Sequence, residues 1–456
     1  MELKREFIES LETLLPSGEA GQLVQALSGT EPSVAVRINP AKASTDELQD
    51  DPVPWCPEGR YLAQREPFTF DTDFQSGRYY VQDASSMFIA HVIRQLVHQP
   101  VRYLDLCAAP GGKTTAALSA LPAGSLMVTN EVVPQRAQVL RENVIKWGSP
   151  SCVVTSSQPK DFGRNLPGFF DVIATDVPCS GEGMMRKDDT AVSQWTPQLP
   201  LQCAALQRSI VADVWPALKP GGLLIYSTCT FNREEDELMV QRIIAKLGAE
   251  PVAVEIDPSW HIHPAIGLDA PCYRFLPHLT RGEGLFMAAL RKPTGATVGN
   301  LKKQRVKTTP LPRQMDNWLL QSDDYVMTDD FVALPASMAN DMLLLRARLK
   351  VLHMGVPLGE AKGKRLVPSH SLALSQALNA EAFVRCEVDY KMAMAYLHGE
   401  AVSLPGAPRG YVLLTHRGHP IGFANNLGNR ANNLYPKPWR ILSTHLPDAE
   451  PSVLKH

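Results

Sequence analysis

From residue 101 to residue 291 the chain alternates short apolar runs with stretches of helical period, and this alternation predicts the main domain. Strands are predicted at residues 102–106, 126–130, 152–155, 171–175, 223–226, 252–256 and 285–290. Helices fall between most of them, for example at 134–147 and 201–218. Such an order implies an α/β fold built on a parallel, doubly wound sheet. Ligands are then expected at the carboxyl ends of the strands.

The flanks read differently. Residues 1–97 form a mostly helical N-terminal region in which Phe7, Leu11, Leu14 and Leu15 recur at helical spacing, with a short strand at 34–38. Asp83-Ala84-Ser85-Ser86 precedes an apolar run at 87–93, which predicts a capped helix leading into the main domain at 98–293. Between Arg291 and Met315 there are seven basic residues and no acidic one, so 294–315 reads as a linker or basic arm. An intermediate α/β region is expected at 316–380. The segment 381–456 reads as a small β-rich domain, with strands at 411–414 and 420–423 around Arg417-Gly418-His419. Residues 401–447 again lack acids and carry Arg409, Arg417, Arg430, Lys437 and Arg440.

Composition narrows the class without naming a partner. The chain has 456 residues, 44% hydrophobic and 20% charged, which is globular and long enough for two or three domains. The formal net charge of -2 hides the basic tracts. No apolar run approaches membrane-spanning length, and Met1-Glu2-Leu3-Lys4-Arg5-Glu6 lacks the core of a signal peptide, so no membrane association is expected. Eight cysteines without a C-x-x-C pair argue against zinc ribbons and disulfide frameworks. No metal is expected, and the expected compartment is a reducing cytoplasm.

The first predicted strand runs into Cys107-Ala108-Ala109-Pro110-Gly111-Gly112-Lys113-Thr114 and then a helix. Backbone N–H groups and the positive helix end suit a small anionic ligand, and the glycines permit close approach. A Walker turn would need glycine where Cys107 stands, and G-x-G-x-x-G is absent. A nucleoside with an amino-acid tail, as in S-adenosylmethionine, remains. Glu131, twenty positions after Gly111 at the end of the second strand, is placed to accept bonds from ribose hydroxyls. The plainer alternative is a tight βα turn and a surface glutamate.

Two cysteines follow strand ends in matched settings, Asp176-Val177-Pro178-Cys179 and Ser227-Thr228-Cys229. Thiols delivered to one nucleotide-type cleft suggest covalent chemistry on a ring. Carbon 5 of cytosine becomes nucleophilic once a thiolate has added to carbon 6. Cys229 suits that role, and Asp176 is a partner for the base or the cofactor. Asn232 and Glu235 have capping-box spacing for the next helix; a helix start favours a thiolate, whereas Glu234, Glu235 and Asp236 oppose it. The remaining cysteines, Cys56, Cys152, Cys203, Cys272 and Cys386, read as small hydrophobes, with Cys107 part of the turn.

At these motifs, together with Arg37-Ile38-Asn39-Pro40, Gln82-Asp83-Ala84-Ser85-Ser86 and Tyr226-Ser227-Thr228-Cys229-Thr230, the chain resembles the Nol/Nop/Sun family of RNA cytosine-5 methyltransferases over about residues 30–295. Tyr396-Leu397-His398-Gly399-Glu400 and Asn432-Asn433-Leu434-Tyr435-Pro436-Lys437 resemble the PUA-like tail of its bacterial RsmF-type subgroup, which Gly183-Met184-Met185-Arg186-Lys187-Asp188 also fits. The resemblance implies a Rossmann-like seven-stranded methyltransferase sheet, S-adenosylmethionine as cofactor, and cytosine C5 methylation of 16S rRNA, free or in the assembling small ribosomal subunit; a monomer is expected. By the same resemblance Cys229 is the nucleophile and Cys179 assists product release, although DNA cytosine methyltransferases use a Pro-Cys cysteine as nucleophile. Cys107, Ala108, Ala109, Pro110, Gly111, Gly112, Lys113, Glu131, Arg136, Asp161 and Asp176 would contact the cofactor or base. The N-terminal region and tail would contact RNA. The competing expectations are methylation of a tRNA cytosine and a catalytically silent RNA-binding assembly factor.

Overall fold

A computed structural model describes residues 3–48, 51–296, 299, 308–363, 365–443 and 445–455. Lys302, Lys303, Arg305 and Lys307 of the expected basic arm lie outside the described residues. The central sheet, among the described residues, has nine strands: β1 (Arg102–Asp105), β2 (Leu126–Asn130), β3 (Cys152–Thr155), β4 (Phe170–Asp176), β5 (Leu218–Thr228), β6 (Glu250–Val252), β7 (Tyr273–Phe275), β8 (Leu285–Arg291) and β9 (Val351–Met354). Their order is β6-β8-β5-β4-β1-β2-β3-β9, with β7 also on β8. Strands β3, β2, β1, β4 and β5 are mutually parallel. β8 enters antiparallel beside β5, and β6 and β7 pair antiparallel with β8.

The strands are buried on both faces because their side chains alternate between two apolar clusters. Leu104, Val128, Val153 and Ile173 enter one cluster, and Tyr103, Met127, Val154 and Val172 the other. Helices α1 (Gly112–Ala120) and α2 (Pro134–Trp147) cover the second cluster through Ala116, Ala117, Leu140 and Val144. Helices α3 (Leu199–Val214) and α4 (Glu237–Leu247) cover the first through Ile210, Val211, Met239 and Ile243. Met342 and Leu345 of the helix Ala339–Arg348 fill the same layer, and β9 pairs antiparallel with β3. The chain beyond residue 315 thus returns to the core of the main domain.

Six of these strands are those expected from the alternation; β7 and β9 extend the sheet, and β6 shares only Val252 with the strand expected at 252–256. The strand expected at 252–256 ends at Val252, because the Tyr273 hydroxyl, not a neighbouring strand, engages both the N–H and the C=O of Val254. The helix expected at 201–218 spans Leu199–Val214 and gives way to a 3-10 turn containing Pro216.

The N-terminal region opens with helices Arg5–Leu14 and Ser17–Gly29 and continues into a four-stranded antiparallel sheet. Val34–Ile38 lies between Cys56–Leu62 and Tyr79–Val81 in that sheet. Arg37 bolts the sheet to α1 and is fully buried. It donates to Gln82 Oε1 (2.9 Å), Ser119 Oγ (3.0 Å) and Thr115 Oγ1 (2.6 Å), and stacks 4.6 Å from the Trp147 ring. Burial lowers its pKa to about 10. Asn39 Nδ2 donates to the carbonyls of Gly77 and Trp147.

The C-terminal part has a sheet of Val384–Glu387, Gly410–His416, His419–Asn426 and Ala431–Asn433, packed on the helix Tyr390–His398. No helix among the described residues is long and apolar enough to cross a membrane.

Candidate active site

The carboxyl ends of β1, β2, β4 and β5 lie side by side, and the loops that leave them touch one another. After β1 the chain turns at Gly111, whose φ of +117° lies in a region that L side chains rarely adopt. A Cβ there would also come within 3.3 Å of Leu140 Cδ1. The first residue of α1 follows at once, and no side chain caps the N–H groups of its first turn. Ala108 N donates to the carbonyl of Asn130, tying this turn to the end of β2. Asn130 Nδ2 in turn donates to the carbonyls of Leu106 and Ser157.

Charged groups gather at this turn. Lys113 Nζ lies 2.9 Å from Asp176 Oδ2, and Ser227 Oγ donates to Asp176 Oδ1 at 2.9 Å. Burial opposes the Lys113 ammonium, but Asp176 beside it more than offsets that, and its pKa is raised. Burial pushes the Cys107 thiol up to about 12, so it stays protonated and packs against Thr175. Glu131 is 3% exposed; its Oε1 accepts from Val133 N at 2.9 Å and its Oε2 lies 3.4 Å from Arg136. Arg136 reaches across to the Ala109 carbonyl at 3.0 Å. Asp161 is a capping residue, its Oδ2 accepting from Gln158 N at the start of the helix Pro159–Asn165.

Asp105 is a site residue that sequence reasoning missed. It is buried at the end of β1, accepts from Thr114 Oγ1 at 2.6 Å, and feels Asp176, Lys113 and Glu131. Burial raises its pKa to about 7. A buried acid with a raised folded-state pKa holds its proton in the folded protein while the unfolded chain has lost it. Stability therefore falls as pH rises from about 4 to about 7. Asp105→Asn lacks this loss. Its stability relative to the parent should grow across that window by about 2–4 kcal/mol and level off above it, as denaturant unfolding at a series of pH values would read.

The two strand-end cysteines meet. Cys179 Sγ and Cys229 Sγ are 3.2 Å apart, both half-buried, and Cys229 N donates to Cys179 Sγ at 3.4 Å. The contact with Cys229, then burial, pushes the Cys179 thiol well above its ordinary value. Both residues are partly exposed and follow the carboxyl ends of the adjacent strands β4 and β5. The remaining cysteines are also free; Cys56, Cys152 and Cys272 are buried, as small hydrophobes would be.

Two buried glutamates join the loops that carry these sulfurs. Glu235 accepts from Ser180 N at 3.0 Å, from Gln207 Nε2 at 2.7 Å and from Asn232 Nδ2 at 2.8 Å. Burial raises its pKa. Glu182 accepts from Thr230 Oγ1, Phe231 N and Asn232 N. The expected capping box is therefore half formed. Asn232 Oδ1 accepts from Glu235 N, but the Asn232 N–H goes to Glu182 and α4 begins only at Glu237. The available signal was spacing: Glu182 and Asn232 each stand three residues past a cysteine.

The parallel sheet closed by the antiparallel β8, with a glycine turn after its first strand, is of Rossmann-like build, and the family models make it a methyltransferase. Models of three families match in order along the chain. They are the N-terminal domain of 16S rRNA methyltransferase RsmF at residues 3–84, 16S rRNA methyltransferase RsmB/F at 96–291, and the methyltransferase RsmF PUA domain at 383–441. A relative named ribosomal RNA small subunit methyltransferase F from Klebsiella pneumoniae is 30% identical over 433 residues, covering 88% of this chain and 89% of its own. The chain belongs to the RsmB/F family of 16S rRNA methyltransferases, in its RsmF branch. Among solved structures, a methyltransferase homolog protein from Pyrococcus horikoshii is 25% identical with a TM-score of 0.51, covering 64% of this chain and all of its own. NSun6 from Pyrococcus horikoshii, solved with SFG, shares the fold at 20% identity and a TM-score of 0.54, covering 63% and 98%.

Proposed function

We propose that this protein transfers a methyl group from S-adenosylmethionine to carbon 5 of a cytosine in 16S rRNA, through a transient bond between Cys229 and carbon 6. One observation carries this reading: two thiols lie 3.2 Å apart, and Cys229 stands near enough to Lys113 of the cofactor-type turn to help raise its pKa. The residues fit the cofactor. The N–H groups at Gly111–Lys113 suit a carboxylate, buried Glu131 suits a pair of ribose hydroxyls, and Arg136 closes over the turn. When bound, the cofactor supplies an electrophilic methyl group.

The protein's own groups do the rest. The Cys229 thiolate adds to carbon 6, and the ring's electron pair moves to carbon 5. Asp176, fixed by Lys113 and Ser227, is placed to hold the base edge and favour that shift. Once carbon 5 carries the methyl group, with S-adenosylhomocysteine as the leaving group, water takes the carbon 5 proton, the 5,6 double bond re-forms and the Cys229 sulfur departs with its electrons. Cys179, in contact with that sulfur, assists the departure. The C-terminal sheet and the N-terminal region would hold RNA while the target base is turned out of its stack. The protein would act as a monomer in the cytoplasm.

Incubation with a labelled methyl donor and 16S rRNA, either free or as small subunits, should place label in 5-methylcytosine read by bisulfite sequencing. Label confined to tRNA, or RNA binding without any label, would contradict the reading.

A further inference from the structure

Glu182 has no role in the reaction described above, yet it is the most heavily engaged carboxylate beside the sulfurs. It is 1% exposed. Its Oε2 accepts from Thr230 Oγ1 (2.6 Å), Phe231 N (2.9 Å) and Asn232 N (3.0 Å), the three residues that follow Cys229. Its Oε1 accepts from Trp195 Nε1 (3.0 Å) and Asn232 Nδ2 (3.1 Å). Every donor is an uncharged N–H or O–H, so the carboxylate organises the loop through directed bonds. Glu182 itself stands three residues after Cys179. The next residue, Gly183, donates its N–H to the Cys229 carbonyl at 2.9 Å. No side chain fits at that crossing, because a Cβ on Gly183 would lie 2.8 Å from Gly284 Cα and 3.0 Å from Cys229 O.

We infer that Glu182 is a positioning residue that clamps the Cys229 loop onto the Cys179 loop and so sets the distance between the two sulfurs. The inference rests on the proposed two-cysteine reaction for its catalytic meaning. Adduct formation needs Cys229 alone, whereas release needs Cys179 within reach of it. Loosening the clamp therefore slows release more than attack. Glu182→Gln keeps the shape but puts an NH2 group among N–H donors, which leaves at least one of them unpaired in the interior.

Two measurements on the full chain test this. The first needs no RNA. Diamide oxidises the sulfur pair: each thiol gives up its hydrogen, one Cys179–Cys229 bond forms, and the diazene becomes a hydrazine. In Glu182→Gln this cross-linking should slow about tenfold, on the scale of losing a buried charged hydrogen bond, while S-adenosylmethionine affinity stays within about twofold of the parent. Cross-linking at the parent rate would overturn the inference. Thr230→Val, which removes one of the bonds, serves if the glutamine variant does not fold. A slowing of about threefold is expected there, and no slowing would overturn the inference equally.

The second measurement is the fraction of enzyme held as RNA adduct during turnover. It should rise in the variant as kcat falls, whereas a merely structural role would lower both together. If the parent enzyme methylates no cytosine but cross-linking still depends on Glu182, the proposed function fails and the clamp stands.

Discussion

Cys229→Ala should abolish methyl transfer and every covalent RNA complex, a loss of roughly 10,000-fold or more, as expected when a covalent nucleophile is removed. Cys179→Ala should behave in the opposite way. With attack intact and release impaired, protein should accumulate bound to RNA in a complex that survives denaturing electrophoresis. The asymmetry follows from the site. The two sulfurs touch, but Cys229 lies just past the end of β5, near Ser227, whose hydroxyl helps to fix Asp176. The Cys179 thiol, pushed up by its neighbour and by burial, holds its proton and is suited to give it rather than to attack. An adduct in Cys229→Ala together with none in Cys179→Ala would reverse the two roles.

Arg274→Met should be the most damaging change for stability. Arg274 is 1% exposed on β7, its Nε donates to Glu237 Oε1 at 2.6 Å, and its Nη1 donates to the Phe231 carbonyl at 2.8 Å. Its Nη2 pairs with Glu237 and lies 3.2 Å from Asp236. Removing the cation leaves two carboxylates buried, at a cost of about 3–5 kcal/mol in denaturant unfolding. Burial already pushes the Asp236 carboxyl well above its ordinary range, with Arg274 opposing, so the variant should hold that proton more tightly still. A folded-state pKa raised in this way disfavours folding as pH rises from about 4 upward, and the deficit should shrink on acidification. A deficit independent of pH would mean that packing, not charge, is what Arg274 supplies.

The parts of this molecule written in local pattern were legible. Six strands and α2 follow from apolar runs and a proline at a helix start. The turn at Gly111 and the two strand-end cysteines stand in short contiguous motifs. What escaped depends on contacts distant in sequence. Strand Cys56–Leu62 contains Pro57, Glu58 and Gly59, which blur the period-two signal, yet it pairs with Val34–Ile38. β9 joins the sheet from about 200 residues away, through register with β3 that no local propensity encodes. The Glu182 network has the same origin: spacing from a cysteine hints at it, but only the crossing of two loops gives the carboxylate its five donors. Asp161, expected near the adenine by resemblance, is also a helix cap, a role its position three residues after Gln158 permits.

Everything in the mechanism turns on which sulfur bonds to the pyrimidine. RNA carrying 5-azacytidine at the target position would trap the bond, and peptide mass spectrometry of the digested complex would locate it. The mass of the modified nucleotide should appear on the peptide that contains Cys229. Its appearance on the peptide of Cys179, or on no cysteine at all, would contradict the account.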